Sequence, residues 1–177
     1  MDEIKKYDKT FLEERFKVEV KRALIALLNG ISNRNLDNVK RFLSDEVYNK
    51  FNNLIMEYKN KGIIRRFDEA NVALCNIIKY SIDNNCINIY VSVITKYVDY
   101  FINEDGKYIS GNNESRITHE HFIKFSKVIC NEDLNNIVRC KNCGHSIDIM
   151  NSNVCEYCKS KFDISKHFYI ITDIDVF

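Results

Sequence analysis

Two Cys-x-x-Cys motifs near the C-terminal end of the chain constrain its fold more than any other feature. They occupy residues 140–143 and 155–158, and eleven residues separate them. Four thiolates at this spacing can complete a tetrahedral zinc shell and leave no position for a metal-bound water. The motifs therefore predict a zinc ribbon with one structural Zn²⁺, whose ligands are Cys140, Cys143, Cys155 and Cys158.

Three residues near these motifs are candidates for further parts of the site. Gly144 directly follows the first motif, where the turn of the backbone often needs a positive φ. His145 could compete as a ligand, but four cysteines already fill the shell. It is expected to donate a hydrogen bond to a ligand or to be solvated. Cys130 could be a fifth thiolate, and a buried free thiol is the favoured interpretation.

The other cysteines and the composition favour a reduced, cytoplasmic protein. Cys75 and Cys86, like Cys130, are isolated in apolar stretches. Residues 1–8 contain no apolar run of signal-peptide length, and no run of about 18 apolar residues predicts a transmembrane helix. The net charge of +1 provides no long-range field, which argues against non-specific nucleic-acid binding as the main activity.

The first third of the chain predicts amphipathic helices. Thr10 begins a candidate capping box for the first helix, and the Asn-Gly pair at residues 29–30 is expected to end it. A short second helix follows. Ser44 is a candidate N-cap for a third helix, which Gly62 is expected to end in a left-handed conformation.

The remainder of the chain predicts antiparallel strands. The alternation of apolar and polar residues places them at Val72–Ile82, Ile87–Ile102, Ser115–Ile129 and His167–Phe177, with Phe168, Ile170, Ile174 and Val176 on one face of the last. Helices followed by such strands predict an α+β fold, in which N-terminal helices pack on one face of a curved antiparallel sheet. The ribbon is then an insertion before the last strand. The predicted division is an α+β domain of residues 1–138 together with 163–177, and an inserted zinc ribbon of residues 139–162.

The order of these elements resembles a known family. Residues 36–48, the strand at residues 87–94, and the ribbon with its closing strand from Phe168 are similar to the Tim44-like domain, in particular to its bacterial members. That domain is the C-terminal part of the mitochondrial inner-membrane import-motor anchor. In ribbon-containing members, proline and tryptophan often stand where this chain has Lys141 and Phe168.

The resemblance has implications for fold and function. It implies a nuclear-transport-factor-two-like cone and a non-enzymatic interaction module. Such a module would bind a protein or an apolar ligand in membrane-associated transport. The expected location is the cytoplasm, including peripheral association with the inner face of the membrane.

A histidine pair provides the strongest case for catalysis. His119 and His121 form a His-x-His on a predicted strand, so both rings project from the same face. With Tyr97 and Asp99 on the neighbouring strand, they are candidate acid–base groups for a small cone-fold isomerase or hydrolase. A polar stripe without chemistry is the more common meaning of such a pair. Since the sequence contains no nucleophile motif or phosphate-binding loop, we expect no enzyme.

Two groups of basic residues could contact phosphate or anionic headgroups. One group lies near the end of the third helix, at Lys59, Lys61, Arg65 and Arg66; the other surrounds the ribbon, at Arg139, Lys141, Lys159 and Lys161. Their ordinary explanations are compensation of a helix C-terminus and a solvated ribbon surface. A nucleic-acid-binding zinc-ribbon protein is therefore an alternative, but a protein or apolar ligand is the favoured partner.

Overall fold

The computed structural model describes residues 2–130, 137–149, 154–162 and 164–175. Within these residues the helices are α1 (Asp2–Tyr7), α2 (Glu13–Ser32) and α3 (Asp45–Asn60), with a short 3₁₀ helix at Lys40–Phe42. The strands are β1 (Ile63–Asp83), β2 (Cys86–Asn103), β3 (Tyr108–Val128), β4 (Ile137–Arg139), β5 (Ser146–Asp148) and β6 (Ile170–Ile174). No helix in the described residues has both the length and the apolar character that a bilayer span requires.

The strands form one large sheet and one small one. The large sheet has the order β1-β2-β3-β6, and every neighbouring pair in it is antiparallel. The small sheet is the β4–β5 hairpin, which follows β3 and precedes β6 in the chain. The α+β class, the N-terminal helices on a large antiparallel sheet and the insertion before the last strand are thereby confirmed.

The main core lies between the helices and one face of the sheet, here called the inner face. Successive side chains of a strand point to opposite faces, and the odd-numbered residues of β2 from Ile87 to Tyr97 are almost completely buried. The residues of α2 that join them in the core include Leu24, Leu27 and Leu28. The opposite, outer face carries no helix from this core cluster, and several of its apolar side chains are exposed.

The predicted limits of the first long helix were wrong at both ends. Leu12 occupies the N-cap without a side-chain hydrogen bond, and the Thr10 hydroxyl donates instead to the Asp8 carboxylate at 2.7 Å. At the other end, α2 continues through Gly30 to Ser32. A Cβ at Gly30 would lie only 2.9 Å from the Leu36 side chain. Gly30 therefore permits a close approach of the following segment and does not end the helix.

The predicted signals at the ends of α3 were correct. Ser44 is the N-cap, and its side chain accepts a hydrogen bond from the Val47 N–H at 3.3 Å. Gly62 follows the C-cap with a φ of +65°, a conformation that suits glycine.

Two strands begin earlier than predicted. β1 begins at Ile63 and not at Val72, and β3 begins at Tyr108 and not at Ser115. Register shifts interrupt β1 three times, and they interrupt β3 between Tyr108 and Ser110 and between Asn112 and Ile117. Each bulge shifts the alternation of apolar and polar residues, so the sequence pattern fails there.

The last strand is short and carries a different set of buried residues. β6 spans Ile170–Ile174, and residues 176–177 of the predicted strand lie outside the described residues. A register shift at Lys124–Phe125 accompanies the burial of both Ile171 and Ile174. Phe168 does not share a face with them, because it packs on the small hydrophobic cluster of the ribbon.

A buried ion pair attaches the N-terminal segment to the sheet. The Asp8 carboxylate accepts hydrogen bonds from the Lys127 ammonium at 2.7 Å, the Tyr169 hydroxyl at 3.1 Å and Thr10. Burial opposes ionisation of Asp8, but the hydrogen bonds from Lys127 and Thr10 lower its pKa below the usual value. Asp8 is therefore a carboxylate at neutral pH.

Replacement of Asp8 should destabilise the protein in a pH-dependent way. In Asp8→Ala the Lys127 ammonium stays buried without its carboxylate, so we expect the free energy of unfolding to fall by about 3 kcal/mol at neutral pH. Because the folded pKa is lowered, this contribution is complete above the usual aspartate pKa. It is lost as the pH falls through the lowered value. Urea denaturation of wild type and variant from neutral to acidic pH measures the difference.

The double variant Asp8→Ala, Lys127→Met is the matched control. It removes both charges, and it should therefore be more stable than Asp8→Ala alone. Equal stability of wild type and Asp8→Ala at neutral pH would contradict the assigned role of the pair.

Candidate metal centre

The two cysteine motifs lie in two adjacent short hairpins. The first motif is in the turn of the β4–β5 hairpin, where Val138 pairs with Ile147. The second is enclosed by an isolated antiparallel bridge between Val154 and Lys161. The structure brings together all four cysteines that the sequence singled out.

The same backbone pattern supports each motif. The Cys140 N–H donates to the His145 carbonyl, and the Cys155 N–H donates to the Ser160 carbonyl, both at 2.8 Å. In each motif the bond joins the first cysteine to the residue five positions later. This shared pattern directs both pairs of sulfur atoms toward one point.

Each turn has a residue in the left-handed region one position after its second cysteine. These residues are Gly144, with φ +73°, and Lys159, with φ +60°. The N–H of each donates back to the carbonyl of the first cysteine, at 2.8 Å and 2.9 Å. The sequence indicated Gly144 but not Lys159, because lysine is not a residue that usually signals this conformation. Lys159 follows its motif at the same position as Gly144, and this equivalence could have predicted its positive φ.

The distances between the sulfur atoms fit a tetrahedral metal. All four lie within 4.8 Å of one another, with Cys140 3.5 Å from Cys158 and Cys143 3.6 Å from Cys155. Zn–S bonds of about 2.3 Å in a tetrahedron place neighbouring sulfurs roughly 3.8 Å apart. The described cluster therefore has the size and the donor chemistry of a four-thiolate zinc site.

The cluster is buried on one side and exposed on the other. Cys140 and Cys155 are buried with Ile147 and Ile149, whereas Cys143 is exposed. The partly buried residues that complete this small hydrophobic cluster are Val138, Cys158, Phe162 and Phe168. So small an apolar core contributes little stability by itself, and small domains of this kind are commonly stabilised by a bound metal.

Ser160 is a residue of the site that the sequence analysis missed. Its Oγ lies 3.2 Å from Cys140 Sγ and 3.0 Å from Cys158 Sγ. Hydrogen bonding with Ser160 lowers the pKa of both thiols, and that of Cys158 to about 5. A hydroxyl in this position stabilises thiolates, which are the form that binds metal.

Two other candidates, His145 and Cys130, lie outside the thiol cluster of the described residues. The His145 ring stacks on the Tyr157 ring at 5.6 Å between centroids, and both side chains are exposed. His145 thus supports the first turn through its backbone carbonyl. Cys130 is half-buried and is absent from the cluster that the described cysteines form.

The histidine pair lies in the main domain, on the inner face of the sheet. The rings of His119 and His121 are 4.4 Å apart between centroids. His121 is fully buried, with Nε2 2.8 Å from the Thr95 hydroxyl. Burial and the neighbouring His119 lower the pKa of His121 to about 3, so the ring is neutral at physiological pH. Burial raises the pKa of Tyr97, which lies beside the pair, to about 12.

Asp99 does not join the histidines. Its two carboxylate oxygens accept hydrogen bonds from Arg65 at 3.0 Å and 2.8 Å. The guanidinium also lies over the rings of Phe67 and Phe101. The candidate acid–base set therefore divides into a histidine–tyrosine group and a separate ion pair.

The two basic groups differ in how accessible they are. Arg65 is mostly buried, and Arg66 pairs with Asp68 at 3.0 Å. The side chains around the ribbon are exposed, at Arg139, Lys141, Lys159 and Lys161. Of these, Lys161 lies 3.6 Å from Asp45 at the start of α3. The ribbon group is thus the more accessible of the two.

The comparison with protein families relates most of the chain to a known domain. The model of the Tim44-like domain matches residues 1–136 of the 177. This range contains all three helices and β1 to β3, and it ends before the cysteine motifs and β6. A comparison with curated proteins gives no match.

We expect the four clustered cysteines to bind zinc. Purified protein should contain one Zn²⁺ per chain, because the described thiol cluster supplies four ligands at tetrahedral distances. Structural zinc contributes about 10–16 kcal/mol of apparent binding energy in small zinc domains. Metal analysis with thiol alkylation measures this, and Cys130→Ser is the control that should keep the metal. Zinc-free protein with all four thiols rapidly alkylated would contradict the assignment.

Proposed function

The chain belongs to the Tim44-like family, and on this premise we propose that it is a non-enzymatic interaction module. Its helices and large antiparallel sheet fit the nuclear-transport-factor-two-like cone of that family. Membership indicates a protein-interaction or transport-associated module in general. The finer proposal is that it binds a protein or an apolar ligand through its sheet, with the zinc ribbon as a structural element.

An exposed apolar stripe on the outer face of the sheet carries this proposal. Leu74 pairs with Ile94 across β1 and β2, and Phe122 lies diagonally opposite Ile94 on β3. Leu74 is 46% exposed and Phe122 is 55% exposed. Each of the three adjoins buried residues that face the helices, so each points away from the main core. Exposed apolar patches of this kind mark interaction sites.

Basic side chains border the stripe. Lys79 and Lys124 lie over the ring of Tyr90, at 4.7 Å and 5.8 Å from its centroid. Both belong to strands that carry the stripe, and their charges favour acidic groups at the edge of a bound partner. The surface therefore suits a protein segment with an apolar centre and acidic flanks.

The contacts of the candidate acid–base groups support an interaction module over an enzyme. Arg65 engages both oxygens of Asp99, and His121 is buried against Thr95. A general base must reach a substrate proton, and these groups face the protein interior. The same contacts give each residue a structural role.

We also propose that the ribbon is a separate structural unit, with the domain limits predicted above. Two apolar clusters support this division, one between the helices and the large sheet and the other around Cys140 and Cys155. Zn²⁺ held by the four thiolates would connect the two hairpins of the ribbon. It would supply cross-linking only, since four protein ligands complete its shell.

The proposed setting is membrane-associated transport in a bacterial cytoplasm, with peripheral association at the inner face of the membrane. The family match supports an association with transport and peripheral membrane binding in general terms only. Among the described helices, the amphipathic α2 and α3 bury one side each in the main core.

Nucleic-acid binding by the ribbon is a second candidate function. The observation in its favour is the exposed stack of His145 and Tyr157, with Lys141 and Lys159 exposed nearby. Aromatic platforms and cations together are typical of single-strand binding. Binding of a single-stranded oligonucleotide that weakens steeply with salt and requires Tyr157 would support this function.

Replacement of one zinc ligand tests the division into domains. Cys155→Ser should abolish zinc binding and unfold the ribbon, while the helices and most of the large sheet stay folded. The reason is that the main core contains no residue of the ribbon cluster. Circular dichroism and thermal denaturation measure this outcome. A total loss of secondary structure at ambient temperature would show that the ribbon is integral to the main core.

Variants of the outer face test the proposed interaction. Leu74→Ser combined with Phe122→Ser should weaken partner capture by more than about tenfold, because apolar anchors dominate such interfaces. The measurement is cross-linking and affinity capture from the native cells, followed by titration of the captured partner. Met56→Ser, at an equally exposed apolar position on α3, is the matched control and should have no effect.

The histidine variant separates the interaction module from the enzyme. His119→Ala should leave partner capture and the cellular role unchanged. Capture that depends on His119, or a turnover activity that disappears in this variant, would favour the isomerase or hydrolase instead.

A further inference from the structure

The edge of β3 carries backbone groups that the described chain leaves without a strand partner. β6 pairs with β3 only from Ile123 to Ser126. One residue earlier, the Phe122 N–H donates to the Asp175 carboxylate at 3.2 Å. From Phe122 back toward the start of β3, no strand of the described residues lies on the side away from β2.

The direction of these groups follows from the register. β2 and β3 pair without a shift from Ile117 to Val128, and N–H groups along a strand point alternately to its two sides. The N–H groups of Phe122 and Val128 donate to Asp175 and Ser165, on the side away from β2. The N–H and C=O groups of Thr118 and Glu120 therefore point to the same side, where the described residues provide no strand partner.

The two edges of the large sheet differ in regularity. β1, at the opposite edge, has three register shifts and a left-handed residue at Glu69, with φ +53°. Bulges of this kind protect an edge from pairing with another chain. The β3 edge has no such irregularity between Ile117 and Phe122, so its geometry permits the addition of a strand.

We propose that this edge pairs with the same edge of a second copy of the chain, antiparallel about a two-fold axis at Thr118. In that register Arg116 lies opposite Glu120 of the second copy, and the symmetry forms this pair twice. Thr118, Arg116 and Glu120 are all exposed. Opposite charges that face each other across antiparallel strands stabilise the pairing.

The charges select this register among its neighbours. An axis one residue earlier, at Ile117, would place Glu120 opposite Glu114 of the second copy, which is repulsive. An axis one residue later, at His119, would place Glu120 opposite Thr118 and leave Arg116 without an acidic partner. Only the axis at Thr118 pairs both charges.

Two features limit the paired segment. At one end, the Phe122 N–H already donates a hydrogen bond to the Asp175 carboxylate. At the other end, the register shift between Asn112 and Ile117 bends β3, as bulges do. The regular pairing then centres on Thr118 and includes Glu120, with Arg116 at the bend, so only a few backbone hydrogen bonds join the copies. Such a small interface gives a weak dimer that depends on concentration.

The contacts that Arg116 and Glu120 make within the chain can be exchanged for the ion pairs between the copies. Glu120 accepts a hydrogen bond from the Ser92 hydroxyl, and Arg116 donates to the Lys96 carbonyl at 3.2 Å. Both contacts are at the exposed surface, where such bonds contribute little. Dimerisation would join two large sheets at their edges and place two outer-face stripes in one particle, which favours bivalent partners.

Charge reversal tests the register directly. Sedimentation of the purified, zinc-loaded protein over a dilution series should show a monomer–dimer equilibrium for the wild type. Arg116→Glu and Glu120→Arg should each raise the dimer Kd by at least about tenfold, because each reverses both symmetric pairs. The double variant should restore dimerisation. A wild type that is monomeric at millimolar concentration, or a double variant no better than the single ones, would overturn the proposal.

Variants at Thr118 and Leu74 show whether the copies associate at the β3 edge or through the outer face. Thr118→Lys places two like charges opposite each other on the axis and should also abolish the dimer, whereas Thr118→Val should keep it. Leu74→Ser lies on the outer face away from this edge and should leave the Kd unchanged. A dimer that survives Thr118→Lys, or that is lost in Leu74→Ser, would show that the copies associate elsewhere. Failure of this inference leaves the proposed interaction function untouched.

Discussion

Burial of the inner face of β2 in the main core beneath the helices is the constraint on which the rest of the structure depends. β2 is paired on both sides, and its odd-numbered residues from Ile87 to Tyr97 are almost completely removed from solvent. Since a strand in this position cannot shift by one residue without exposing the whole apolar set, it fixes the register of β1 and β3. The helices cover the inner face, and the outer face is left for other contacts.

Polar anchors at the margin of this core fix its geometry. Asp8 with Lys127 attaches the N-terminal segment, and Arg65 with Asp99 joins β1 to β2. Replacement of one partner of a buried ion pair is costly, because it leaves an uncompensated charge in the interior. Because Arg65 binds both carboxylate oxygens of Asp99, Asp99 does not contact the histidine pair. The same ion pair thus joins two strands and keeps the candidate acid–base groups of the described residues apart.

The ribbon is linked to the main core through two consecutive residues. Phe168 packs on the ribbon cluster, whereas the Tyr169 ring contacts Phe16 of the main core at 5.2 Å between centroids. Order in the ribbon is thereby coupled to the start of β6. A metal held by the four thiolates would stabilise this junction as well as the two hairpins, although the helices and the first three strands have their own core.

Local patterns in the sequence were sufficient to predict the elements whose signals lie within a few residues of one another. The cysteine spacing predicted the thiol cluster, the alternation along β2 predicted the central strand, and Ser44 predicted the start of α3. Each signal reflects short-range chemistry: ligand spacing, the period of a strand, or a cap bonded three residues away.

Interactions between residues far apart in sequence decided the remainder. Bulges let β1 and β3 continue where the alternation fails, and the packing of Leu36 on Gly30 lets α2 pass a glycine that would otherwise end it. Ser160 joins the thiol cluster only because the two hairpins meet, and among the described residues the β3 edge before Ile123 has no strand partner because β6 ends at Ile174. Sequence patterns alone were enough to predict the class of fold and the four cysteines that cluster in the structure. Which groups are buried, which are paired and which surfaces are exposed followed from the tertiary structure, because burial and pairing depend on partners that are distant along the chain.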